Sequence, residues 1–145
     1  MKIAKVLKKI SKLKGEISDL AERIEESNSC LKTNEFAEDV GILISSYRDK
    51  VAILISLKER VMRTNIENGM YNNILLLAEK KAEIKMLKDM GIKSGHQVSH
   101  GYKEEVHEYK CQVGLQERNK IVAELETEVE DIIDTLDEFN ATTEI

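Results

Sequence analysis

Apolar side chains recur every seven residues from the first turn of the chain: Ile3, Ile10, Ile17, Ile24 and Leu31, with Val6, Leu13 and Leu20 between them. That spacing holds one stripe on one side of a helix and reads as a coiled-coil seam of about four heptads. It predicts a first helix over about residues 2–30. Gly15 lies inside it at a cost of roughly 1 kcal/mol relative to Ala. The run from Ser27 to Asn34 ends it, because Ser, Asn and Thr side chains compete for helical hydrogen bonds.

A second helix is expected over about 36–64. Val40, Tyr47, Leu54 and Val61 form one heptad line, and Ile44 and Val51 a second. Its centre, VAILISL at 51–57, is apolar on almost every face, and such a helix needs more than one neighbour to cover it. TNIENG at 64–69 reads as a turn, with Asn68-Gly69 its strongest signal. A third helix follows over about 71–90, with Ile74, Leu77, Ile84 and Leu87 on one face and Leu75 and Leu76 widening it. Gly91 suits the cap after it. The last helix is expected over about 116–139, where Val122, Leu125, Val129, Ile132, Leu136 and Phe139 step by 3 and 4.

The expected fold is therefore mainly all-α. It is an elongated antiparallel helical bundle or coiled coil of three to four helices, forming a single domain over 1–145. A loop, short extended segment or β-hairpin occupies about 91–115, before the last helix. Within it, the alternation from Tyr109 to Leu115 suggests a strand that pairs with Gln97–Tyr102 or with its copy in another subunit.

Composition agrees with this architecture. Charged residues make up 34% and aromatics 4%, and neither proline nor tryptophan occurs. Chains without proline can run long helices, and aliphatic-rich, aromatic-poor chains suit interlocking helices. Charge is also ordered along the chain. Lys2, Lys5, Lys8, Lys9, Lys12 and Lys14 precede the first acid, Glu16, while nine acids and no base lie from Glu124 onward. Both ends oppose their helix dipoles, and placing them side by side, within one chain or between partner subunits, relieves both.

The window HQVSHGYKEEVHEYKCQV at 96–113 departs from the helical pattern. It holds all three histidines, and Gly91 to Gly114 holds four of the seven glycines. His96 and His100, and His107 and Cys111, stand four apart, which on helices would put each pair on one face and could hold zinc. Gly95 and Gly101 argue against a helix there, so an exposed connector is the expected reading and no metal or cofactor is expected. Glu104-x-x-His107 has the spacing of a di-iron ligand pair, but no second copy accompanies it. Cys30 and Cys111 could pair, though buried or idle thiols are the plainer reading.

Several short stretches resemble a known family. The start MKIAKVL, AED at 37–39, RTN at 63–65 followed by Asn68-Gly69, and the closing NATTEI match the order and spacing of the DIP1984 family. These are small bacterial helical proteins of unknown function, some labelled septicolysin-like. The resemblance implies a helical fold with a short extended segment before the last helix. It supplies no catalytic residues.

The function classes narrow accordingly. The net charge of −5 and the absence of an aromatic platform argue against nucleic acid. KIAKVLKKISKLK could lie on a membrane surface, but its seam continues past the basic part, and no segment is long enough for stable insertion. No nucleophile–base motif supports an enzyme. Two cysteines without a framework fit the cytoplasm. The expected function is a non-enzymatic homo-oligomer that presents surfaces to a protein partner, with Ile53, Leu57, Leu75 and Leu76 as candidate interface residues. The alternatives are a metal-binding protein or metal-dependent enzyme using the His/Cys-containing segment 96–111, and a membrane-active protein built on the basic first helix.

Overall fold

The structure, a computed structural model, describes residues 1–101 and 103–145. In chain order the elements are α1 (Ile3–Ser27), α2 (Val40–Glu67), α3 (Met70–Asp89), β1 (Gly95–Ser99), β2 (Glu105–Tyr109) and α4 (Leu115–Thr142). They are grouped in two compact units, 1–71 with 137–145, and 72–136.

The first unit is built on the seam. Ile3, Val6, Ile10 and Leu13 of α1 are buried against Leu57 and Val61 of α2, with Ile17, Leu54, Phe139 and Ile145 packed on the same cluster. The two helices run in opposite directions. Lys50 of α2 donates to Glu16 of α1 at 2.5 Å, and Arg23 near the end of α1 pairs with Glu38 just before α2. Asp39 caps α2, its Oδ1 accepting from the Ile42 amide at 3.2 Å. This supplies an acceptor, and a negative charge where the dipole favours one.

At the start of α1 no side chain caps the helix. Instead the Ile3 amide donates to the Thr143 carbonyl at 3.0 Å, and the Ile145 amide donates to the Met1 carbonyl at 2.9 Å. Lys2 and Glu144 form an isolated antiparallel bridge. The basic start and acidic end of the chain thus meet directly.

In the second unit α3 and α4 also run oppositely. Lys80 and Lys88 of α3 pair with Glu128 and Glu126 of α4. The Arg118 guanidinium donates to the Lys88 carbonyl at 3.3 Å, occupying an acceptor that the end of α3 leaves open. Val122, Leu125 and Val129 are the buried side chains of α4, whereas α3 buries none. β1 and β2 form an antiparallel hairpin whose ten residues are all exposed.

Several elements differ from the sequence expectation. Leu31 is no member of the seam, because α1 ends at Ser27 and Leu31 is 71% exposed. α2 starts at Val40, since Asp39 caps it there, and Phe36 lies outside it and exposed. Its end extends to Glu67, so the turn contracts to Asn68-Gly69, where Gly69 adopts φ +73°. The strands are also displaced. β2 covers Glu105–Tyr109, and Leu115 already opens α4. The Tyr102 end of the expected pairing lies outside the described residues.

Candidate functional site

The histidine segment is built by the hairpin. In an antiparallel pair, directly opposed residues share a face and successive residues alternate faces. His96 lies opposite Glu108 and next in line to the Val98–Val106 pair. His107 lies opposite Gln97, on the other face. The spacing of four that would join histidines on a helix therefore does not gather them here. His100 follows β1, and Cys111 follows β2.

His107 interacts locally. Its Nε2 is 3.3 Å from Glu105 Oε2, and its ring meets Tyr109 edge-on with centroids 6.4 Å apart. The Lys93 ammonium sits 5.2 Å from the Tyr109 ring centre, a cation–π distance. Half-buried Cys111 lines an open groove of about 380 Å³ with Met90, Lys93 and Tyr109. Glu104 precedes β2, so Glu104 and His107 do not share a helical turn. Among the described residues no three His, Cys, Asp or Glu side chains come close enough to hold a metal ion. Cys30 is an exposed free thiol whose Sγ lies 3.7 Å from the Asn34 carbonyl.

A second candidate is the apolar surface of the helices. Of the four expected interface residues, Ile53, Leu75 and Leu76 are exposed. Leu57 is not available: it is buried in the core that α2 shares with α1. On α3, the half-buried line Leu77, Ile84 and Leu87 lies on the same side as Lys80, which bonds α4. The opposite side carries Leu75, Ala78, Ala82 and Met86 at helical spacing, all exposed.

On α2 the pattern is clearer. Beside the buried line Leu43, Leu57 and Val61 runs another: Ile44, Val51, Ile55, Met62 and Ile66, stepping by 7, 4, 7 and 4. Val51 is half-buried, while Ile55 is 60% exposed, Met62 50% and Ile66 56%. The sequence shows the first two members of this line. Its continuation is hidden because Arg48 and Lys58 interrupt the repeat.

The chain ends supply a third surface. Met1, Lys2, Ala4, Lys5, Lys8 and Glu144 line an open groove of about 630 Å³. Among the described residues, no helix is long and apolar enough to cross a membrane. No protein-family model matches the chain, and no curated protein or solved structure is found to be similar to it.

Proposed function

We propose that the chain is a non-enzymatic homo-oligomer of the DIP1984 type, acting in the cytoplasm by presenting helical surfaces to copies of itself and to a protein partner. The observation that carries this reading is the uncovered apolar side of α3, where Leu75 is 49% exposed and Met86 56%. Water-facing apolar surface on this scale marks an interface more often than an idle surface. In the assembly the helices complete an elongated antiparallel bundle, each exposed stripe covered by a neighbour. The free thiols Cys30 and Cys111 suit a reducing compartment.

Sedimentation equilibrium at micromolar concentration tests the reading. The wild type should run as an oligomer, and Leu75→Glu with Leu76→Glu should weaken it at least tenfold. A monomeric wild type sinks the proposal.

A further inference from the structure

We propose that the second apolar stripe of α2 is the seat of a second copy of this chain, docked antiparallel through its own α2 about a two-fold axis near Ile55. This rests on the oligomeric reading above and adds to the α3 side a second surface on α2, with its partner and direction.

The stripe belongs to one helix. Ile44 to Ile66 lies within α2, and at 1.5 Å per residue it runs about 33 Å. It borders the face that packs on α1, so the apolar surface of α2 is wider than one neighbour covers. Ile44, Ile55, Met62 and Ile66 are all exposed.

The charges beside the stripe select the occupant and its direction. Arg48 and Glu59 stand on the same flank of the stripe, the side away from α1, and both are exposed. Glu59 bonds Arg63 of its own helix at 2.7 Å, whereas Arg48 has no ion-pair partner among the described residues. In a two-fold antiparallel pair, like flanks face each other. With Ile55 opposite its own copy, Ile44 meets Ile66 of the second copy, and Arg48 comes within one turn of Glu59 of the second copy. The symmetry makes the same contact twice. A parallel copy would bring unlike flanks together. Glu59 would then find Lys58 of the second copy, but Arg48 would lie beside Tyr47 and stay uncompensated. Only the antiparallel pair uses both charges.

The experiment is sedimentation equilibrium of the full chain at micromolar concentration, with circular dichroism to confirm folding. The variants are Ile55→Glu, Arg48→Glu, and Arg48→Glu combined with Glu59→Arg. Ile55 is largely exposed, so its replacement should leave the helices formed. Ile55→Glu should raise the dissociation constant at least tenfold and Arg48→Glu several-fold, while the charge-swapped pair should return within about twofold of wild type. An oligomer indifferent to Ile55→Glu yet broken at Leu75 and Leu76 would overturn this seat and leave the oligomeric reading standing. A swap that fails to rescue would overturn the antiparallel direction. A monomeric wild type, including one that binds a different protein, would overturn both.

Discussion

Glu16 lies between Lys50 of α2 and Lys12 of its own helix. The hydrogen bond from Lys50, and then its charge, hold the Glu16 carboxyl below its usual value of 4.5. Glu38 is lowered by its bond to Arg23, whose own value is raised by the same contact. Both glutamates are thus more acidic folded than unfolded, so the unfolded chain binds more protons as pH falls. Their stabilisation is fully present above 4.5 and is lost as pH drops through the lower folded values. Both carboxylates are half-buried but still reached by water, so the effect is small and screened by salt. Glu16→Gln with Glu38→Gln should lower the urea midpoint slightly at neutral pH. The difference between variant and wild type should shrink as pH falls below 4.5. A difference that persists in acid would show that the two pairs act through something other than charge.

At the scale of elements, burial separates residues that the heptad spacing treats as equal. Ile10 is 7% exposed and packs in the α1–α2 cluster, while Leu31 is beyond the helix. Ile10→Ala should cost about 2–5 kcal/mol in chemical denaturation, from lost transfer energy and the cavity left behind. Leu31→Ala should change stability by less than about 0.5 kcal/mol. Equal costs would mean that the seam continues past Ser27. The first and fourth helices are legible because their apolar periodicity runs on through most of their length, and the third because Ile74, Leu77, Ile84 and Leu87 keep helical spacing across the Lys80-Lys81 gap; α3 starts within a residue of the expected position. The start of α2 is misjudged because Phe36 suggests packing while Asp39 sets the cap. The hairpin's presence is legible but its register is not. β2 is Glu-Val-His-Glu-Tyr, a strand with a single aliphatic residue and no buried face to fix which positions turn inward. A two-stranded hairpin with every residue exposed is marginal. Limited proteolysis should therefore cut first within about 92–108, where local opening is least costly. First cleavage inside α2 would contradict this ordering. His96→Ala with His107→Ala should shift melting by no more than about 2 °C, since exposed side chains contribute little. A large loss, with stoichiometric zinc in the wild type, would restore the metal alternative.

At the scale of the whole molecule, residues at opposite ends of the sequence close the first unit. The lysine-rich start and acid-rich end are each unfavourable for their own helix dipole, and sequence suggests that they neutralise each other. The structure adds a backbone reason that no charge pattern reveals. Ile3 is 0% exposed, its amide is satisfied by Thr143, and Ile145 packs on the cluster that Ile3 begins. The two contributions can be separated. Glu144→Lys reverses the charge beside Lys2 but leaves the backbone pairing and Ile145 in place, so it should barely change the melting temperature. Removing residues 143–145 takes away the acceptor for a buried amide, at a cost of about 1–3 kcal/mol, and uncovers apolar surface as well. Melting should fall on the order of 5 °C for a chain of this length. Hydrogen exchange should locate the loss in the first turns of α1, where the Ile3 amide would lose protection first. If the truncated chain melts with the wild type, or if Glu144→Lys is the more damaging change, then charge rather than backbone pairing holds the ends together.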